Sequence, residues 1–199
     1  MQPDDKSVWN RKYAEAPEKW LEPDPFLVYA WEHFLKPATP GMALDVAGGA
    51  GRHAIWLADR GWQVKVLDVS DVGLQLARHN AVKVLGEERA GKFIDAETVD
   101  LNTVTDLGRQ LYDLVLVFRY LNRELFPALS SALKPGGTLI YSTYTTAQLK
   151  FGKGPTEPQF LLQPGELRQA FSALRVLHHA ETAKDRGVAE LIASKPLRA

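Results

Sequence analysis

From Gly41 onward, the apolar positions of this 199-residue chain change their period several times. Short, nearly continuous apolar runs read as strands covered on both faces. They alternate with segments whose apolar residues return every three or four positions, the spacing of one helix face. The runs are MALDVA, WQVKVLDV, YDLVLVFRY and GGTLIYSTYT, with a less regular third strand in GKFIDAETVD. Between them GRHAIWLADRG predicts a helix ended by Gly61 as a left-handed cap residue. DVGLQLARHNAVKVL predicts a second, capped by Ser70 or Asp71, and NRELFPALSSALK a third. Strand and helix alternating at this spacing predict parallel strands joined by right-handed crossovers.

Both ends of the chain break that rhythm. SVWNRKYAEAPEKW predicts a short helix with Ser7 as N-cap and Pro17 as its end. DPFLVYAWEHFLK predicts a stronger one, with Asp24 as N-cap, Pro25 at its first position and Pro37 closing it. Its Phe26, Tyr29, Ala30, Phe34 and Leu35 make an apolar face. After Thr145, TTAQLKFGKGPTEPQFLLQPG has little periodicity, and a loop of that length in a compact domain is usually functional or disordered. PGELRQAFSAL then predicts a helix, and RVLHHAETA and VAELIASKP two strands joined tightly through KDRG, which must pair antiparallel. The expected fold is therefore α/β: a doubly wound, Rossmann-like sheet, mostly parallel, with an antiparallel C-terminal hairpin. One domain is expected to divide into an N-terminal helical lid (1–37), a cofactor-binding core (41–145), an acceptor-side loop (146–163) and a C-terminal helix and hairpin (164–199).

Composition narrows the chemistry. Lys plus Arg and Asp plus Glu both total 24, a balance that argues against an obligate nucleic-acid binder. No cysteine is present, which removes disulfides, thiolate nucleophiles and cysteine-ligated metal centres. The five histidines lack metal-ligand spacing, so no metal is expected, and His178-His179 reads as strand with one ring buried and one exposed. The N-terminus has no signal-peptide pattern, and no apolar run approaches the roughly 20 residues of a membrane span, so a cytoplasmic protein is expected.

The segment LDVAGGAGRHA carries the chemical signal. Gly49, Gly51 and Ala54 fit the dinucleotide pattern G-x-G-x-x-G/A, and Asp68 ends the next strand about 20 residues on. Asp45, at the tip of the first strand, discriminates between cofactors. A pyrophosphate sits at the helix N-terminus, where backbone N–H groups favour negative charge, and a carboxylate beside it would repel it. An ammonium or sulfonium group would be attracted. Phosphate loops of the Walker type fail, because no Lys-Ser/Thr follows the glycines. The charge logic points to a nucleoside with a zwitterionic, cationic tail, and S-adenosylmethionine fits.

LDVAGGAGRHAIWLADRGWQVKVLDVS resembles the first motif of class I S-adenosylmethionine-dependent methyltransferases and its neighbour, with VDLN, YDLVLVF and LKPGGTLIYST following in the family's order. The likeness covers roughly Gly41 to Thr145. The C-terminal GELRQAF and ELIASKP and the aromatic N-terminal helix are similar to the small bacterial tellurite-resistance branch. Ala47 departs from the pattern where the family usually has its first glycine. Its extra methyl is tolerable with a negative φ, Gly48 supplying local freedom instead.

The resemblance implies the family's seven-stranded fold and a set of roles. Asp45 and the backbone of Ala47, Gly48, Gly49 and Gly51 would surround the methionine part. Asp68 would accept both ribose hydroxyls, and Val69 would flank the adenine. Asp100 would take the adenine amino group and the Leu101 N–H a ring nitrogen; the other reading of Asp100 is an N-cap for a helix in NTVTDLG. The Phe118 carbonyl would face the methionine ammonium, while its ring reads equally as core. Trp9, Tyr13 and Trp20 sit on the N-terminal segment, which can close as a lid or simply pack on the domain as an anchor. Arg119 and Tyr120, which follow the fourth strand with Asn122 and Arg123, and Tyr144 are acceptor-side candidates; Arg119 also reads as a solvated surface residue.

The expected reaction is in-line displacement at the sulfonium methyl carbon, releasing S-adenosylhomocysteine. No residue stands out as a general base, which favours a small acceptor that is already nucleophilic. Rival readings are an RNA or protein methyltransferase of the same fold, a non-enzymatic S-adenosylmethionine-binding protein and an NAD-dependent reductase. A monomer or homodimer is expected, with no membrane partner.

Overall fold

A computed structural model describes residues 5–16, 21–35 and 39–197. Pro17, Trp20 and Pro37, singled out above, lie outside the described residues. Seven strands form one sheet in the order β3-β2-β1-β4-β5-β7-β6. β1 (Met42–Val46), β2 (Gln63–Asp68), β3 (Ile94–Thr98), β4 (Tyr112–Phe118) and β5 (Leu133–Tyr144) lie near the predicted runs. β6 (Arg175–Ala183) and β7 (Gly187–Ser194) pair antiparallel with each other, and β7 pairs antiparallel with β5. The α/β class and the terminal hairpin follow the sequence reading. The chain forms two compact units, Met1–Val104 and Thr105–Ala199.

In the first unit β1, β2 and β3 run parallel. Strand β1 buries Ala43, Leu44, Asp45 and Val46, and α3 (Arg52–Asp59) returns from it with Ala54, Ile55, Leu57 and Ala58 buried. Gly61 (φ 91) lies just past that helix, in the left-handed role expected of it. α4 (Asp71–Leu85) starts at Ser70, whose hydroxyl accepts from the Gly73 N–H at 2.9 Å, and buries Leu74, Ala77, Ala81 and Leu85. The i, i+3/i+4 spacing of those four makes one apolar face, and burying a leucine of that kind contributes about 2 kcal/mol.

The third strand is shorter than its sequence pattern suggested. Glu87–Phe93 form a helix, α5, and β3 begins only at Ile94. Ala90 and Phe93, three apart, pack with Ile94 on a cluster of Ile55, Ala58, Ala81 and Leu85. Tertiary burial at helical spacing overrides the strand-like GKFI. At the N-terminus, α1 (Asp5–Glu15) begins two residues before the expected Ser7 cap. α2 (Pro25–Ala30) starts as expected, with Asp24 accepting from the Phe26 N–H at 3.1 Å and Pro25 in the first turn. Its continuation, Trp31–Leu35, winds as a π-helix, so the predicted apolar face splits. Phe26, Ala30 and Leu35 are buried, while Tyr29 is exposed.

In the second unit β4 and β5 pair in parallel over a stretch buried on both faces. The predicted NRELFPALSSALK helix is a 3-10 turn at Arg123–Leu125 and then α6 (Phe126–Ala132). Leu133 and Lys134 already belong to β5. The aperiodic segment after Thr145 holds 3-10 turns at Thr146–Phe151 and Pro158–Phe160 and ends before α7 (Glu166–Ala170). Arg123 fastens it: its guanidinium donates to both Glu166 carboxylate oxygens and to the Gln159 and Leu161 carbonyls. Tyr141 is buried between Phe126 and Phe171, and its hydroxyl donates to the Tyr120 carbonyl at 3.1 Å. His178 and His179 on β6 are both half-buried, not one in and one out.

Candidate functional site

The chemistry of the first unit gathers at the carboxyl ends of β1 and β2. The register pairs Asp45 with Val66 and Val46 with Leu67, so the parallel strands deliver Asp45 and Asp68 toward one edge. Between β1 and α3 the chain turns through Ala47 (φ 56), Gly49 (φ 55) and Gly51 (φ 75). Ala47 therefore takes the left-handed backbone that was expected to be avoided. A methyl is retained where φ favours glycine, a strain of roughly 1–2 kcal/mol. The bend is held by Gly48 N–H to the Leu67 carbonyl (3.1 Å) and Gly51 N–H to the Gly48 carbonyl (3.0 Å). Gly51 has a second reason for being glycine: a Cβ there would stand 2.8 Å from the Ala77 Cβ of α4.

Asp45 is completely buried, and neither carboxylate oxygen completes a hydrogen bond among the described residues. Its carboxylate lies against Gly48, where a Cβ would come within 2.8 Å of Oδ2. Desolvation pushes its pKa up to about 7; Arg52 opposes this, Asp68 adds to it, and the facing Ala54 N–H relieves it in part. His53 Nδ1 is 4.0 Å away. A buried carboxylate left in this state costs several kcal/mol unless something cationic or a donor meets it.

Asp68 is also buried, with each oxygen engaged by the loop backbone: Oδ2 accepts from the Gly49 N–H and Oδ1 from the Ser70 N–H, both at 2.8 Å. Burial raises its pKa to about 6 against the pull of the Ser70, Gly49 and Val69 N–H groups. An ionised carboxylate has about four lone-pair directions, so two remain for hydroxyl donors. Val69 beside it is half-buried. Asp100 is exposed; Oδ1 accepts from the Asn102 N–H at 3.0 Å and its carbonyl from Thr103. It thus caps a turn, and the NTVTDLG helix of the alternative reading does not form. Leu101 is buried.

Helix α1 covers the glycine loop. Tyr13 is buried, and a Cβ at Gly49 would fall on its hydroxyl; at Gly73 one would lie 2.8 Å from Tyr13 Cε2. Burial, with Asp68 and Asp45 nearby, pushes the phenol pKa far up, against an opposing pull from Arg52. The Trp9 ring lies 5.8 Å from that of Tyr13, tilted by 32°. Asn10 was missed by the sequence reading. Its Oδ1 accepts from the Ser70 hydroxyl (2.6 Å), and its Nδ2 donates to Asp71 (2.7 Å). The one available signal was spacing: Lys6, Asn10 and Tyr13 fall on one helical face.

The other predicted residues lie in the second unit. Phe118 ends β4 and is buried; Arg119 follows it, exposed, at φ 59, with its N–H on the Ser142 carbonyl at 2.7 Å. Tyr120 and Tyr144 are half-buried. Tyr144 helps line an open cavity of about 440 Å³ with Gln148, Lys153, Asp185 and Arg186. No cluster of metal-ligating residues and no helix long and apolar enough to cross a membrane occurs among the described residues.

Residues 43–137 match the methyltransferase domain family. A ubiquinone biosynthesis O-methyltransferase from Idiomarina loihiensis is 26% identical over 147 residues, covering 66% of this chain and 58% of that protein, so the chain spans less than two thirds of this relative's length. Among solved structures, magnesium protoporphyrin IX methyltransferase from Synechocystis, crystallised with bound S-adenosylhomocysteine, superposes with a TM-score of 0.71 at 17% identity, covering 96% of this chain and 100% of that one. TehB from Haemophilus influenzae gives 0.70 at 16% identity, covering 94% of this chain and 67% of its own. These structural likenesses speak for the fold. The sequence match thus covers the glycine loop and the strands that follow it, in a chain that has the seven-stranded fold of class I methyltransferase structures.

Proposed function

We propose that this protein transfers a methyl group from S-adenosylmethionine to a small acceptor that is already nucleophilic. The carrying observation is Asp45: a carboxylate with no exposed surface and, among the described residues, no completed hydrogen bond, set against the glycine loop. It fits the methionine ammonium, which would supply the missing charge and donors together. A pyrophosphate would meet two buried carboxylates. Asp68, already oriented by Gly49 and Ser70, would accept from the ribose hydroxyls with its remaining lone pairs. Asp100 and Leu101 would read the adenine edge, with Val69 against the ring.

When bound, the cofactor supplies a methyl carbon activated by a sulfonium. The protein contributes alignment and exclusion of water. α1 serves the second task, with Tyr13 over Gly49 and the tilted Trp9 ring beside it. Phe118, Arg119, Tyr120 and Tyr144 are proposed to act on the acceptor side and on the methionine part. The curated relative is named for ubiquinone biosynthesis, which supports a small molecule as acceptor.

The test is incubation with labelled S-adenosylmethionine and a panel of small thiols, phenols and amines, beside RNA and cell protein. Label transferred to a small acceptor is expected. Label moving chiefly into macromolecules would overturn the small-acceptor reading, and retention of all label on the cofactor with every acceptor would overturn the methyltransferase reading.

A further inference from the structure

Asn10 sits on α1, yet every hydrogen bond recorded for its side chain crosses to the start of α4. Oδ1 accepts from the Ser70 hydroxyl and, more weakly, from the Val72 N–H at 3.4 Å; Nδ2 donates to Asp71 Oδ1. Lys6, one turn earlier, pairs with the other Asp71 oxygen at 3.3 Å, and Asp5 accepts from Asn102 at 3.2 Å. Ser70 is at once the N-cap of α4 and the neighbour of Asp68. Asn10 therefore grips the same short segment that frames the ribose-side carboxylate.

α1 is polar over most of its surface, and Tyr13 is its only buried residue. A helix of 11 residues with one buried side chain is marginal by its own propensity and depends on its docking contacts. Those contacts include Tyr13 on Gly49 and Gly73 and the polar grip centred on Asn10. The Tyr13 contact lies on the glycine loop itself, so a ligand reaching the loop from that side would displace α1, and the returning helix would cover it.

We infer that Asn10 is a positioning residue, the latch of a strap formed by α1, and that it sets how fast cofactor enters and leaves without contacting it. This rests on the proposed cofactor site. A latch that holds α1 equally with or without ligand slows association and dissociation together and leaves the equilibrium nearly alone.

Two measurements test it on Asn10→Ala and Asn10→Asp. Hydrogen exchange on the free protein is expected to show α1 amides exchanging about tenfold faster in Asn10→Ala, the effect of losing one or two ordinary hydrogen bonds, with β1 and β2 unchanged. Asn10→Asp keeps the acceptor for Ser70 but sets a second carboxylate beside Asp71, and a similar loosening is expected. Stopped-flow binding of S-adenosylhomocysteine should give association and dissociation rates both raised about tenfold in Asn10→Ala, with Kd changed by less than about threefold. Unchanged α1 exchange in the free variants would overturn the latch. A rise in dissociation alone would overturn it too, because Asn10 would then be a ligand contact. A wild-type protein that binds no S-adenosylhomocysteine would instead overturn the cofactor reading, and with it any role of Asn10 in exchange.

Discussion

Asp45 in the first unit and Glu166 in the second are carboxylates in opposite circumstances. Glu166 is met by a two-pronged arginine and by the Gln163 N–H, and its pKa is held below the ordinary range, chiefly by Arg123. Asp45 has no completed hydrogen bond among the described residues, and burial holds its pKa well above that range. The first arrangement is closed and explains itself: it pins the segment after β5. The second is left open by the described residues, and the proposed cofactor would close it. Satisfied charges of this kind indicate structure, and an unsatisfied one indicates a ligand.

The contrast can be broken at several points. The largest effect is expected for Asp68→Ala, which removes the acceptor for the ribose and unties Gly49 and Ser70 together. S-adenosylhomocysteine affinity should fall by at least about 2 kcal/mol, roughly thirtyfold, by calorimetry. Unchanged affinity in a folded variant would remove Asp68 from the site.

Next comes pH. Asp45 and Asp68 have folded pKa values of about 7 and about 6, raised from 3.8, so between about pH 4 and 7 the native state binds more protons than the unfolded chain. Stability of the free protein should fall as pH rises across that window. Binding of the cationic ligand needs the ionised carboxylates, so affinity should climb from pH 5 to 7, by up to about tenfold per unit for each proton that must leave, and then level off. Calorimetry in buffers of different ionisation enthalpy should detect proton release below pH 7. Flat affinity over this range would count against the assignment.

Arg123→Ala should cost about 1 kcal/mol in denaturant unfolding, because both partners keep partial solvent contact. It should leave S-adenosylhomocysteine affinity unchanged, since this pair is closed on itself. The smallest effect is expected for Ala47→Gly. Relief of positive φ is offset in part by glycine's added unfolded-state freedom, for a net gain of about 0.5–1 kcal/mol in unfolding free energy.

The fold was legible because the apolar runs and the turn and cap residues agree. YDLVLVF could only be a covered strand, and Ser70 and Asp24 cap their helices as their positions implied. Asp45 and Asp68 were legible for the same reason, as one lies at the tip of β1 before the glycine bend and the other ends β2. Three features were not. Phe93 is drawn into a helix by a cluster formed from residues far along the chain. The sign of φ at Ala47 depends on the path of the whole bend, which one methyl does not announce. Asn10 acts across 60 residues on Ser70, and its helical spacing with Lys6 and Tyr13 gives no sign of that partner.

The most direct test is Asp45→Asn, followed in two ways at pH 8: thermal unfolding of the free protein and calorimetric binding of S-adenosylhomocysteine. An unmet buried charge held for a cationic ligand predicts opposite signs, with the free variant more stable and its affinity lower by at least about 2 kcal/mol. A variant that is less stable and binds as tightly as wild type would contradict the account, because Asp45 would then be supporting the fold and not awaiting a ligand.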